Sequence, residues 1–257
     1  MGVQARTRAR EIRAAREAEQ RRAAKRKRII SAVGGLVIVG LLVAIGVAVV
    51  KAASGNDDTS TATGPTNGVV VAPAGATAGG ALTVGQADAP VRVEIYLDYM
   101  CPYCGRFERA NGGELNRLVA DGTARLELYP LAFLDRMSQG SEYSTRTANA
   151  AATVADQAPD KLLAFNQALY ERQPEEGTRG LSDDEIATLA REAGVPGEVV
   201  ASFHENRFRP WVAATTEKVL NGGVSGTPTV KINGTVFTGD LYTVGPLTQA
   251  IVAAKAK

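Results

Sequence analysis

The stretch Val93–Glu108 reads VEIYLDYMCPYCGRFE, and in it a strand pattern leads directly into the start of a helix. Its first part lies in the run Val91–Leu97, where apolar and polar residues alternate as they do in a β-strand. Proline favours the first position of a helix, so the sequence predicts a helix beginning at Pro102. Cys101 then occupies the N-cap of that helix.

Cys101 and Cys104 are the only two cysteines among the 257 residues, and they are three positions apart. A sulfur at the N-cap lies beside the first free helix amides, here those of Tyr103 and Cys104, and at the positive end of the helix dipole. Both effects favour the thiolate, so we expect a lowered pKa for Cys101. Cys104 lies one turn further on and is expected to be the resolving thiol. The pair therefore predicts thiol–disulfide exchange.

Two other uses of the cysteines fit the sequence poorly. A structural zinc site needs four nitrogen or sulfur ligands, whereas the chain offers two cysteines and the single histidine His204. A structural disulfide across two residues would close a very short loop and would constrain the unfolded chain little. We expect no metal and no cofactor beyond the redox-active pair Cys101–Cys104, and we interpret His204 as a surface residue.

The rest of the C-terminal part alternates strand and helix signals. They comprise a strand at Ala124–Tyr129, a helical block over about 141–222, an Asn-Gly hairpin joining Thr229–Ile232 to Thr235–Phe237, and a helix from about Pro246. Within the helical block, Ser182 and Glu185 predict a capping box at a helix start. A parallel strand pair with a helical crossover, followed by a hairpin, predicts a mixed α/β sheet with helices on both faces.

The N-terminal part has a different composition. Residues 1–28 hold 11 Arg and Lys against three Glu, and residues 29–50 carry no charge at all. Twenty-two residues in a helix span about 33 Å, enough for a hydrocarbon core of about 30 Å. The positive-inside rule then predicts a cytoplasmic tail at 1–28 and a single transmembrane anchor at 29–50. A cleaved signal peptide is the alternative for the apolar run.

Residues 51–80 are rich in Ala, Gly, Thr and Ser, a composition that predicts a flexible linker. The domain at 81–257 would then lie outside the cytoplasm, where disulfides persist. After residue 28 the chain holds 18 basic and 24 acidic side chains, which argues against nucleic-acid binding by the domain.

Together, VEIYLDYMCPYCGRFE and the later VSGTPTVKING resemble the DsbA-like branch of the thioredoxin superfamily, in its membrane-anchored actinobacterial form. The resemblance covers about residues 82–255. It implies a thioredoxin fold with the helical block as an insertion, and a cis Pro228 packed against the Cys pair. It also implies that Thr227 offers backbone hydrogen bonds to an extended substrate segment. Pro102 and Tyr103 would then be active-site neighbours.

The chain departs from the family pattern at two positions. Strongly oxidising members carry His where this chain has Tyr103, so its site is expected to be less oxidising. Many members bury an acid six residues before the first cysteine, where this chain has Ile95. Strand alternation turns Glu94 and Asp98 to the other face, which leaves no evident proton acceptor for the second cysteine. Glu108 matches a charged position of the family, or is simply a solvated helix residue.

Three functions remain open from the sequence. The leading hypothesis is an exported dithiol oxidase that gives its disulfide to unfolded secreted proteins, with a membrane redox partner and with the bilayer bound through residues 29–50. The second is a reductase or isomerase that receives electrons from a membrane donor. The third is a non-catalytic module that presents a peptide groove.

Overall fold

The computed structural model describes residues 70–255. The predicted tail at 1–28, the predicted anchor at 29–50 and most of the predicted linker at 51–80 lie outside this range. Within residues 70–255, no helix combines the length and the apolar character that a bilayer crossing requires.

The domain contains five strands and seven α-helices in the described range. The strands are β1 (Leu82–Val84), β2 (Val91–Leu97), β3 (Ala124–Pro130), β4 (Thr229–Ile232) and β5 (Thr235–Val236). The helices are α1 (Pro102–Ala120), α2 (Tyr143–Gln157), α3 (Leu162–Glu171), α4 (Asp183–Glu192), α5 (Gly197–Ala201), α6 (Arg209–Asn221) and α7 (Pro246–Lys255). Short 3₁₀ turns occupy Asp135–Met137, Pro159–Lys161 and Ser202–Glu205.

The strands form one mixed sheet in the order β1-β3-β2-β4-β5. Strands β2 and β3 are parallel and are joined by α1, whereas the other pairs are antiparallel. This is the mixed sheet that the sequence predicts. Strand β2 lies at the centre, and its carboxyl end leads into Cys101, so the cysteine turn is fixed to the central strand.

Helices cover both faces of the sheet, as predicted. On one face, Val93 and Ile95 belong to a core that includes Phe107 of α1 and Leu247 of α7. On the other face, the rings of Tyr96 and Tyr129 stack with their centroids 4.3 Å apart and pack with Val219 of α6. Because both faces are covered, β2 is buried along nearly all of its length.

Two local sequence signals are confirmed, one at a helix start and one at a hairpin turn. Ser182 and Glu185 form the full capping box that begins α4. Asn233 and Gly234 both have positive φ, 50° and 84°, which is the backbone of the two-residue hairpin turn between β4 and β5. Helix α1 continues through Asn111-Gly112-Gly113 to Ala120.

The domain is larger at its N-terminal side than the sequence predicts. Strand β1 pairs with β3, although no strand is predicted there. Before β1, the amide of Ala74 donates to Asp156 (2.7 Å) and Lys218 donates to the carbonyl of Ala78 (2.7 Å). The end of the predicted linker is therefore bonded to the domain, which begins before Ala81.

Candidate active site

Cys101 caps α1 as predicted. Its backbone is extended (φ −71°, ψ 115°), and Pro102 is the first helical residue. The amide of Cys101 donates to the carbonyl of Asp98 (3.0 Å), and the carbonyl of Cys101 accepts from the amide of Cys104 (3.0 Å). Both cysteines are free thiols and are buried, with 5% and 1% of their surface exposed.

The pKa of the Cys101 thiol is lowered, as predicted, but its largest cause is one that the sequence did not predict. A hydrogen bond with the thiol of Cys104 is the largest cause that lowers the pKa of Cys101 to about 6, against burial, which raises it. The side chain of Thr227 and the amides of Cys104 and Tyr103 lower it further. The side chain of Cys101 makes no cap hydrogen bond to the helix. The partner sulfur, more than the helix amides, therefore stabilises the thiolate.

Cys104 has the opposite electrostatics. Burial raises the pKa of Cys104 well above its ordinary value, and the hydrogen bond to Cys101 raises it further. At neutral pH the arrangement therefore favours one thiolate, at Cys101, and one protonated thiol, at Cys104. This division of charge is what a nucleophile and a resolving thiol require.

The peptide bond between Thr227 and Pro228 is cis, as the resemblance implies. The thiol of Cys101 donates to the carbonyl of Thr227 with a sulfur–oxygen distance of 3.3 Å. The loop before β4 is therefore brought to the sulfur from 126 residues away along the chain. Thr227 and Pro228 are half-buried, so part of this loop remains accessible beside the cysteines.

Gln173 is a site residue that sequence analysis missed. It follows α3 in the helical insertion, and its side-chain amide donates to the carbonyls of Tyr99 (3.1 Å) and Cys101 (2.8 Å). Gly105 makes room for it, because a Cβ at position 105 would lie 2.0 Å from the Gln173 oxygen. A glutamine after a predicted helix carries no sequence signal of such a role.

The prediction that Asp98 faces away from the site is wrong. Strand β2 ends at Leu97, so alternation no longer determines its direction, and Asp98 is fully buried under the cysteine turn. Its carboxylate accepts from the amide of Met100 (2.8 Å), the hydroxyl of Ser144 (2.7 Å) and the amide of Leu134 (2.9 Å). Burial raises the pKa of Asp98 to about 6.

Glu94 lies on the opposite sheet face, as predicted. It is buried there, and it accepts a hydrogen bond from Tyr96 (3.0 Å) and pairs with Arg92 (3.1 Å). Glu108, in contrast, is a half-buried residue of α1 rather than a solvated one. Burial raises the pKa of Glu108 to about 7, against a hydrogen bond with Asn166 that lowers it.

The rim of the site is aromatic and exposed. Pro102 and Tyr103 face solvent, and 54% of Tyr103 is accessible. The ring of Tyr103 lies 5.9 Å from that of Tyr242, and the guanidinium of Arg106 lies 4.6 Å from the Tyr242 ring. Asn111 fixes this loop by donating to the carbonyl that precedes Tyr242 (2.8 Å). No sequence signal indicates that the loop between β5 and α7 lies against Tyr103.

His204 and Trp211 lie elsewhere in the domain. His204 is exposed in the turn Ser202–Glu205, as predicted, and it lines a cavity of the helical insertion. Trp211 is buried in the core, 4% exposed.

A family model described as thioredoxin matches residues 77–250. The chain belongs to the thioredoxin family. The match includes β1 to β5, both cysteines and the cis-proline loop. It also begins before Ala81, in agreement with the hydrogen bonds that join residues 74–80 to the thioredoxin domain.

Solved structures refine this assignment. The reduced disulfide bond oxidoreductase DsbG from Mycobacterium tuberculosis is 27% identical, with a TM-score of 0.57 over 71% of this chain and 97% of that one. The thiol–disulfide oxidoreductase MdbA from Actinomyces oris is also 27% identical, with a TM-score of 0.61 over 70% of this chain and 91% of that one. The thioredoxin domain is therefore DsbA-like, of the type that catalyses thiol–disulfide exchange.

A curated relative matches this chain over a small part of its own length. The serine/threonine-protein kinase PknE from Mycobacterium tuberculosis is 31% identical over 155 residues, which are 57% of this chain and 27% of the kinase. The chain thus spans about a quarter of the length of that relative.

Proposed function

We propose that this protein is an exported, membrane-tethered thiol–disulfide oxidoreductase that forms or exchanges disulfides in secreted proteins. Cys101 is the nucleophile and Cys104 the resolving thiol. The observation that carries the proposal is the geometry of the pair: two free thiols one helical turn apart, with Cys101 at the N-cap of α1 and its sulfur 3.3 Å from the carbonyl of Thr227 in the cis-proline loop. The lowered pKa of Cys101 and the raised pKa of Cys104 agree with these roles. The DsbA-like assignment favours an enzyme over a non-catalytic peptide-binding module.

The proposed oxidation of a client proceeds in two displacements. A client thiolate attacks Cys101 in the Cys101–Cys104 disulfide, which forms a mixed disulfide and releases Cys104 as a thiolate that takes up a proton. A second client thiolate then attacks the client sulfur and releases Cys101 as a thiolate. The client gains one disulfide, the enzyme becomes the dithiol, and a membrane redox partner would have to reoxidise it.

Client recognition is proposed at the loop around Thr227 and Pro228. The carbonyl of Thr227 is 3.3 Å from the Cys101 sulfur, so an extended client strand bonded there would hold its own sulfur next to Cys101. Backbone hydrogen bonds are independent of client sequence, which suits a range of unfolded proteins. Tyr103 and Tyr242 add exposed aromatic surface beside this strand position.

A reductase or isomerase is the second candidate for the same site, because Tyr103 brings no charge to Cys101. The reduction potential of the Cys101–Cys104 couple distinguishes the two directions. A value near about −270 mV, as in thioredoxin, favours reduction, and one near about −120 mV favours oxidation.

The membrane location is proposed from sequence alone. An anchor that exports an oxidising domain is supported by the charge-free run at 29–50 and by the basic residues at 1–28. The absence of cysteines other than Cys101 and Cys104 agrees with this layout. In intact cells, an added protease should degrade the domain while sparing the cytoplasmic tail. A domain that stays protected until lysis would contradict this topology.

A trapping experiment tests the catalytic assignment. The Cys104→Ala variant cannot resolve mixed disulfides, so secreted client proteins should accumulate on Cys101 and be released by reductant. The double variant Cys101→Ala/Cys104→Ala is the matched control and should carry none. If the single variant also carries no client adducts, the proposed function is wrong.

A further inference from the structure

Arg106 is an exposed cation beside the cysteines that the proposed function leaves unused. It lies five residues after Cys101 on α1, about 7–8 Å further along the helix axis. Its guanidinium carbon is 4.6 Å from the ring centroid of Tyr242 and 5.7 Å from that of Tyr103, both within the range of a cation–π contact. We name Tyr103, Arg106 and Tyr242 the Tyr–Arg rim.

The loop that carries Tyr242 is held in place by its own hydrogen bonds. The carboxylate of Asp240 accepts from the amide of Tyr242 (2.7 Å) and from the hydroxyl of Thr243. Asn111 of α1 donates to the carbonyl of Leu241 (2.8 Å), and the Leu241 side chain packs against the core. The Tyr–Arg rim is therefore preorganised, which reduces the ordering cost of binding a client.

The start of α1 is cationic, although the chain after residue 28 is acidic on balance. In its first two turns Arg106 and Arg109 are exposed, whereas the single acid, Glu108, is half-buried. Among residues 70–255, no carboxylate forms an ion pair with Arg106 or Arg109. This part of the chain thus offers two guanidiniums near the cysteines to an anionic partner.

Asp240 is the acid of the rim loop, and its carboxylate bonds within that loop rather than to Arg106. The hydrogen bond from Thr243 is the largest cause that lowers the pKa of Asp240, and the charge of Arg106 lowers it further. The guanidinium of Arg106 already covers a ring face of Tyr242. What it still presents to a client is its N–H donors, and their planar fork matches a carboxylate.

We propose that the Tyr–Arg rim is a specificity site that favours clients with a carboxylate two or three residues from the reacting cysteine. The inference rests on the proposed function and names the class of client that the same site prefers. An extended client bonded at Thr227 holds its sulfur next to Cys101. Each further residue advances about 3.3 Å, so two or three residues cover the distance along α1 to Arg106. The client carboxylate then accepts two hydrogen bonds from the guanidinium.

The test measures disulfide transfer from the oxidised full-length protein to three matched dithiol peptides. The peptides differ only in carrying Glu, Gln or Lys at the positions two and three residues from the attacking cysteine. Each rate is divided by the rate of the same peptide with hydroxyethyl disulfide, a neutral small disulfide, which removes the effect of the charge on the peptide thiol itself. The Glu peptide should be about two- to fivefold faster than the Gln peptide, as expected for an exposed ion pair. The preference should decrease at about 1 M salt, and the Lys peptide should be slowest.

Variants assign the preference to individual side chains. Arg106→Gln should bring the Glu/Gln ratio to about one, and Arg106→Lys should keep part of it, since lysine retains the charge but loses the planar fork. Tyr242→Ser should lower the ratio, whereas Tyr242→Phe retains the ring and should preserve it. Arg117→Gln is the matched control and should keep the wild-type ratio, because Arg117 lies further along α1 and pairs with Glu114 (3.1 Å) and Asp121 (3.0 Å).

The outcomes distinguish this inference from the proposed function. Equal normalised rates for the Glu and Gln peptides, or a faster Lys peptide, would overturn the inference and leave disulfide transfer intact. A Glu preference that survives Arg106→Gln would also overturn it, because the preference would then arise outside the rim, for example from the basic residues 1–28 that every variant retains. A wild-type protein that transfers no disulfide to any of the peptides would refute both.

Discussion

The side-chain amide of Gln173 donates to the carbonyl of Cys101 at 2.8 Å, across 72 residues of sequence. The same carbonyl accepts from the amide of Cys104, so the helical insertion and α1 meet at one oxygen of the redox turn. The insertion is therefore bonded directly to the cysteine turn. Its loss should affect the redox pair as well as the stability of the domain.

Gln173 and Gly105 should be energetically coupled. Gln173→Ala removes two half-buried hydrogen bonds and should lower the free energy of unfolding by about 1–2 kcal/mol. Gly105→Ala places a Cβ against the Gln173 oxygen and should displace the amide. Once the amide is absent, the same alanine should be stabilising by up to about 1 kcal/mol, since alanine favours a helix interior over glycine.

Urea unfolding of the two single variants and the double variant measures this coupling. Gln167→Ala is the matched control, because its amide bonds only to Glu171 in the next turn (2.7 Å). Additive effects of the Gly105 and Gln173 substitutions would show that the amide does not occupy the space above Gly105.

Removing the second thiol should make the first less acidic. The hydrogen bond with Cys104 is the largest cause of the lowered pKa of Cys101, so Cys104→Ala should raise that pKa from about 6 toward its ordinary value. Cys104→Ser retains a hydroxyl donor and should keep the pKa lower than the alanine variant does. The rate of iodoacetamide alkylation against pH gives both values. Equal values in the two variants would assign the effect to the helix amides instead.

The reduction potential should change its pH dependence near pH 6. The folded pKa of Cys101, about 6, is below its unfolded value of about 8.5, so the thiolate stabilises the reduced form at high pH. That stabilisation is fully present above about pH 8.5 and is lost as the pH falls through about 6. Below pH 6 reduction takes up two protons, with a slope of about 59 mV per pH unit, and above it one proton, with about 30 mV.

Equilibration with glutathione or dithiothreitol buffers at several pH values measures this slope. A constant slope through neutral pH would mean that Cys101 has an ordinary pKa.

Tyr103→His should raise the reduction potential only slightly. A histidinium beside Cys101 favours the thiolate, but Tyr103 is 54% exposed, and charge pairs at exposed sites contribute about 0.2–1 kcal/mol. The expected change is therefore about 5–20 mV. Tyr103→Phe is the control and should leave the potential unchanged. A much larger shift would mean that the side chain at position 103 turns inward when it is charged.

Much of the fold and part of the site were predictable because their signals are local. Alternation in Val91–Leu97, proline after Cys101, the Ser182 capping box and the Asn233-Gly234 turn each act over a few residues, and the structure confirms them. Strand β1 was missed because three residues carry too little pattern. Asp98 was misplaced because the alternation rule was extended one residue beyond the end of β2.

Consecutive residues suffice to show that a strand delivers two thiols to a helix start, because strand periodicity, capping and the cysteine spacing are all local patterns. The contacts of Thr227 and Gln173 with Cys101, the approach of Tyr242 to Tyr103 and the half-buried position of Glu108 beside α3 follow from tertiary packing alone. Those properties depend on which distant segments pack together and on how much water they exclude. The desolvation that raises the pKa of Glu108 therefore arises only after α3 has packed against α1.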